Sequence, residues 1–123
     1  MATGKITVRD MGFETILGAL AFEREKPQPI RLHFSLWLDF APIAASDDLN
    51  ATVDYAALSE ALKRYIQESK FILIETLVSK SAEFLLAQSE KIQAAWVKVE
   101  KPEALPGSAV SEAEIKITRN EKN

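Results

Sequence analysis

The chain has 123 residues, 47% of them apolar and 27% charged, which suits one domain with a single core. With 15 basic and 18 acidic side chains the net charge is −3, which argues against nucleic acid as a bulk electrostatic partner. There is no cysteine, and the one histidine is His33, so thiolate nucleophiles, disulfides, Cys-ligated metal and a two-imidazole metal site are all excluded.

In chain order, residues 5–17 read as a first strand through Ile6, Val8, Phe13 and either Ile16 or Leu17, with a bulge or bend expected at Gly12. Residues 18–29 read as a structured loop holding the charge cluster Glu23-Arg24-Glu25-Lys26 and two prolines. Residues 30–40 alternate strictly. Ile30, Leu32, Phe34, Leu36, Leu38 and Phe40 face one side, and Arg31, His33, Ser35, Trp37 and Asp39 the other, which predicts a second strand. Residues 41–52 read as a connection. Asp54 then suits a helix N-cap, and Leu58, Leu62, Tyr65 and Ile66 make one apolar face of a helix to about Ser69.

A second helix is expected from Leu73 or Ile74 to about Gln88, with a stripe of Leu77, Val78, Ala82, Leu85 and Leu86. Ala95, Val97 and Val99 alternate with polar neighbours as a third strand, which Lys101-Pro102 ends because proline cannot continue the ladder. Pro106-Gly107 belongs to the next loop, Ala113, Ile115 and Ile117 to a fourth strand, and residues 119–123 to a polar tail. The order strand–strand–helix–helix–strand–strand predicts an α+β fold spanning 1–123 as one domain: a four-stranded antiparallel sheet with two helices on one face. The second face would be polar, either solvated or lining the interior of an oligomer. The four glycines are too scattered for a phosphate-cradling loop. No apolar stretch approaches the roughly 20 residues of a membrane span, and the start carries no secretory pattern. The expectation is a cytoplasmic protein with no membrane and no nucleic-acid partner.

Four segments carry more than fold: Leu17-Gly18-Ala19-Leu20-Ala21-Phe22-Glu23; Ser46-Asp47-Asp48-Leu49 followed by Thr52-Val53-Asp54-Tyr55; Ile72-Leu73-Ile74-Glu75-Thr76-Leu77; and Val99-Glu100-Lys101-Pro102. In this order, on a ββααββ frame, the chain resembles the dihydroneopterin aldolase family of folate biosynthesis, small pterin enzymes with the tunnelling fold. The resemblance covers nearly the whole chain. It departs at Ile16-Leu17, where many relatives carry Tyr-His.

Each residue it singles out also has a plainer role. By position alone Glu75 complements a helix dipole, for roughly 0.3–1 kcal/mol. The resemblance makes it the anchor of a pterin, whose ring N–H and exocyclic amine form a donor pair that a carboxylate accepts. Backbone groups of Leu73 and Ile74 complete that edge, and the resemblance implies that Ala19 and Leu20 bind the substrate as well. Tyr55 could be an aromatic staple. The resemblance places it in a neighbouring subunit's pocket, stacked on the pterin and passing a proton, with Val53 and Asp54 beside it.

Lys101 could be a solvated lysine that guards a strand edge; the resemblance makes it the general base. Glu23 could be a surface acid; the resemblance has it organise the catalytic water and the lysine. His33 reads as a surface or interior-lining residue without a catalytic part. The implied activity is metal-free, cofactor-free cleavage of 7,8-dihydroneopterin by a homo-oligomeric ring, an octamer of two stacked tetramers. The alternatives are an epimerase acting on dihydroneopterin or its triphosphate, a non-catalytic pterin- or purine-binding module, and a ligand-free oligomeric scaffold.

Overall fold

The computed structural model describes residues 1–103, 107 and 109–119. The expected tail beyond residue 119, and Pro106 of the expected loop, lie outside the described residues. The elements are strands β1 (Thr3–Thr15) and β2 (Gln28–Asp39), helices α1 (Phe40–Ser46), α2 (Tyr55–Ser69) and α3 (Ile74–Ala87), and strands β3 (Ala94–Lys101) and β4 (Ser111–Thr118). Single 3₁₀ turns occupy Ala21–Arg24 and Leu49–Ala51. The fold is α+β: one antiparallel sheet in the order β1-β2-β3-β4, with α2 and α3 packed on it.

The alternation of β2 builds the core. Ile30, Leu32, Phe34, Leu36 and Leu38 are buried, and Ala95, Val97 and Val99 of β3 join them. Leu62 and Ile66 of α2 and Leu77, Val78, Ala82, Leu85 and Leu86 of α3 close over that face. Asp54 caps α2 by accepting the Ala57 N–H at 3.1 Å. Leu17, at the point of departure from the family pattern, is fully buried in this core.

The bulge of β1 lies at Arg9–Asp10, which together face His33, and not at Gly12, which pairs regularly with Arg31. Asp10 adopts φ 60, a left-handed conformation that a short polar side chain tolerates. Its N–H donates to His33 Nδ1 at 3.1 Å. The extra residue switches the parity of β1, so that Ile6 and Val8 on one side of it and Met11 and Phe13 on the other all pack against the core. His33 is accordingly buried rather than at the surface, and its Nε2 lies 2.6 Å from Glu100 Oε2.

The second difference is at 40–46. Phe40 does not extend β2 but begins α1, because Asp39 turns its carboxylate onto the Ala41 N–H at 3.1 Å as an N-cap. Pro42 is tolerated there, within the first turn of the helix. Phe40 packs over Gly4, where any Cβ would fall onto its ring.

Candidate active site

The residues after β1 turn on Gly18, whose φ of +130° favours glycine. A Cβ at Gly18 would fall onto the Glu23 carboxylate, so glycine is what lets that side chain fold back under the loop. Glu23 is the third residue of the 3₁₀ turn, and its Oε1 accepts the Leu20 N–H at 3.1 Å, one half of a capping box. Its Oε2 accepts from Lys101 Nζ at 2.8 Å and from Gln28 Nε2 at 3.1 Å. Gln28 spends a second N–H bond on the Leu17 carbonyl at 2.6 Å. Glu23 is therefore a buried acid with every oxygen engaged, at 8% exposure. Burial alone would raise its pKa. The bonds from Lys101, Leu20 and Gln28 and the charge of Lys101 outweigh that and hold it below the ordinary glutamate value.

Lys101 ends β3, paired in register with Ser111 of β4, and its side chain is only 11% exposed. Pro102 follows and keeps Lys101 in extended geometry. The ammonium therefore points inward onto Glu23, unlike that of a solvated edge lysine.

The opposite side is built by the start of α3. Leu73, in the N-cap position, is extended and offers no side-chain cap, so among the described residues the first-turn N–H groups have no side-chain acceptor there. Glu75 is the second helical residue and is exposed. A cleft of about 510 Å³ joins the two sides. Gly18, Ala19, Glu23 and Lys101 line one wall, Ile72, Leu73, Ile74 and Glu75 the other, and Ser111, Glu112 and Ala113 of β4 its floor. A carboxylate next to free helix N–H donors suits a planar ligand that presents N–H groups beside a carbonyl. The Lys101–Glu23 pair can hold and move a proton.

Six of the ten residues singled out from the sequence thus surround one cleft: Glu23, Lys101, Glu75, Ile74, Leu73 and Ala19. Leu20 contributes its backbone N–H to Glu23, while its side chain is exposed. Tyr55, Val53 and Asp54 do not line the cleft. Tyr55 opens α2 and is 53% exposed, Val53 is buried, and Asp54 is occupied as the helix cap. Gly18 and Ile72 stand within the segments that carry the resemblance but have no role assigned from the sequence, and neither do Gln28 and Ser111 to Ala113. The signal for the last group was the β3–β4 pairing, which carries Ser111 to Lys101. Gln28 carried no signal, since its partners lie in two other segments.

A family model described as FolB: Dihydroneopterin aldolase matches residues 6–118. The chain is 35% identical over 102 residues to the dihydroneopterin aldolase of Methylorubrum extorquens, covering 83% of this chain and 78% of that one. It is 32% identical over 116 residues to the dihydroneopterin aldolase of Bacillus subtilis, covering 94% and 96%. The structure of E. coli dihydroneopterin aldolase in complex with neopterin superposes with a TM-score of 0.85 at 23% identity, over 93% of this chain and 98% of that one, a likeness of fold.

Proposed function

The chain belongs to the dihydroneopterin aldolase family, and we propose that it cleaves 7,8-dihydroneopterin into 6-hydroxymethyl-7,8-dihydropterin and glycolaldehyde, a step of folate biosynthesis. The observation that carries this reading is the buried Lys101–Glu23 pair in the wall of the cleft that Glu75 and the uncapped start of α3 open into.

Glu75 accepts the pterin's ring N–H and exocyclic amine, and the N–H groups after Leu73 and Ile74 donate to the ring carbonyl. Bound this way, the ring is set to extend its side chain toward Lys101. In its neutral form, beside Glu23, Lys101 serves as the base. It then takes the side-chain hydroxyl proton. The bond between the hydroxyl-bearing carbon and the carbon attached to the ring breaks, the new carbonyl leaves as glycolaldehyde, and the electron pair enters the ring imine. The carbon left on the ring then takes a proton. Tyr55 of a neighbouring copy is our candidate for that donor, with Val53 and Asp54 beside it, in a homo-oligomeric ring of the octameric kind. Two features support the ring: Tyr55 is half-exposed and away from its own chain's cleft, and β1 and β4 stand at the sheet edges.

Cleft charge favours an unphosphorylated substrate. Its charged lining residues among those described are Glu23, Glu75, Glu112 and Lys101, and Lys101 is taken by Glu23. Among those described residues a triphosphate would meet carboxylates and no free cation. Re-forming the broken bond before glycolaldehyde departs would give the epimer. Incubation with dihydroneopterin, followed by separation of hydroxymethyldihydropterin from dihydromonapterin, therefore tests the reading. Hydroxymethyldihydropterin with glycolaldehyde is the expected product pair. Dihydromonapterin alone would make the protein an epimerase, and binding without turnover a pterin-binding module. Hybrid oligomers of Tyr55→Phe and Lys101→Ala subunits should regain turnover that neither variant has alone.

A further inference from the structure

In the sequence Arg24 is one charge of the cluster at residues 23–26, and in the structure it remains exposed. In the structure it holds the two walls of the cleft together. The 3₁₀ turn Ala21–Arg24 sends neighbouring side chains in different directions: Glu23 inward to Lys101, Arg24 across to the joint between α2 and α3. Arg24 Nη1 donates to the Gly18 carbonyl at 3.1 Å and to the Phe71 carbonyl at 3.0 Å, and Nη2 to the Lys70 carbonyl at 2.7 Å. Gly18 adds a backbone bond from its own N–H to the Phe71 carbonyl at 3.3 Å.

Both anchoring points matter to the site. Gly18 is the residue on which the Glu23 carboxylate rests. Lys70, in a left-handed conformation with φ 52, ends α2, and Phe71 leads directly into Ile72, Leu73, Ile74 and Glu75. A helix C-terminus leaves carbonyls unpaired and favours a cation. The planar guanidinium reaches two carbonyls at the end of α2, those of Lys70 and Phe71, and that of Gly18 across the cleft from one rigid fork, which a lysine cannot do.

We propose that Arg24 is a positioning residue, whose guanidinium fixes the spacing between the proton-moving wall at Glu23 and Lys101 and the ligand-anchoring wall at Leu73 to Glu75. The proposal rests on the pterin-cleaving reading for its effect on rate, but not for its geometry. Each wall keeps its own internal bonds without Arg24: Glu23 still has Lys101, Gln28 and Leu20, and Glu75 still stands on α3. What is lost is the three guanidinium bonds that fix their relative placement, which leaves the single Gly18 N–H bond to the Phe71 carbonyl between them. A ring anchored by Glu75 would still bind, but its side chain would no longer be held in line with Lys101.

The test uses Arg24→Ala and Arg24→Lys in the full chain. Amide hydrogen exchange should accelerate in Arg24→Ala at Gly18, whose N–H is bonded to the Phe71 carbonyl, and at Lys70, whose N–H is bonded to the Ile66 carbonyl, and less so in Arg24→Lys. A misplacement on the order of 1 Å can cost about 10²-fold in rate, so kcat on dihydroneopterin should fall by about 10- to 10²-fold in Arg24→Ala. The dissociation constant for 7,8-dihydropterin, which lacks the side chain and needs only the Glu75 wall, should stay unchanged. A lower melting temperature with unchanged kcat in the folded protein would make Arg24 merely structural and overturn the proposal. Unchanged exchange at Gly18 would overturn it too. If the wild-type protein turns over no pterin, the functional reading fails separately, and accelerated exchange at Gly18 and Lys70 still upholds the clamp.

Discussion

The two walls of the cleft are built on opposite principles. At Glu23 and Lys101 every charge is buried and answered within the chain, by each other, by Gln28 and by a backbone N–H. At Glu75 the carboxylate is exposed and, among the described residues, bonded to none, and the helix start behind it lacks a side-chain cap. A wall already satisfied is organised before any ligand arrives, and changes to it disturb stability and chemistry together. A wall left unsatisfied is completed by the ligand, and changes to it disturb binding while the fold stands.

The largest expected effect is on the satisfied wall. Lys101→Arg keeps the cation and the edge of β3 but cannot act as a base, so turnover should drop by about 10²–10⁴ with ligand affinity largely kept. Lys101→Ala adds a stability loss, because it leaves the Glu23 carboxylate buried without its counter-charge. Breaking a buried pair from one side costs about 3–5 kcal/mol. The double variant Glu23→Gln, Lys101→Met should regain part of that stability in urea unfolding and none of the turnover. Near-normal turnover in Lys101→Arg would remove Lys101 as the base.

Next comes the unsatisfied wall. Glu75→Ala should weaken pterin binding, measured calorimetrically, by about 1.5–3 kcal/mol for each charge-assisted hydrogen bond removed. Its melting temperature should scarcely move, since only a helix-dipole contribution of about 0.3–1 kcal/mol is lost. A large fall in stability with unchanged binding would reverse the contrast between the walls.

Gly18 sharpens the comparison from the backbone. Gly18→Ala puts a side chain at φ +130 and pushes it onto the Glu23 carboxylate. Strain of this kind costs about 1–3 kcal/mol. It should lower kcat through Glu23 while the dissociation constant of a pterin without a side chain holds. Equal losses in both would mean the walls are not separable.

Much of this was legible before the structure. Strict alternation in β2 forecast which of its residues form the core, and Asp54 marked the start of α2. The motif around Glu75 and Leu73, together with the β3 end at Lys101-Pro102, already pointed to residues that share the cleft. What escaped depends on contacts between distant segments. The parity switch from Val8 to Phe13 announces a bulge, but its place at Asp10 is set by a nitrogen of His33 on β2. α1 escaped because strand alternation ran through Phe40, while the competing signal, Asp39 as a cap, is a single side chain. Arg24 and Gln28 escaped because their partners lie in other segments, at 70–71 and at Leu17 and Glu23.

The smallest effect, and the finest test of the contrast, is the pH dependence of stability. Glu23 titrates below its ordinary value of 4.5 in the folded protein, because its partners outweigh the cost of burial. A group whose folded pKa is depressed stabilises the fold above its unfolded pKa and loses that contribution as the pH falls through the folded one. The protein should therefore lose stability as the pH drops through 4.5 and below, and urea midpoints across that range should record the loss. Glu23→Gln keeps the shape of the side chain without the titrating carboxyl, so its midpoint should fall less steeply over the same interval. Glu75→Gln leaves the Glu23–Lys101 pair in place and should keep the part of the fall that depends on Glu23. If the two variants flatten the curve equally, the satisfied wall owes nothing to its ion pair, and the difference between the walls lies in burial alone.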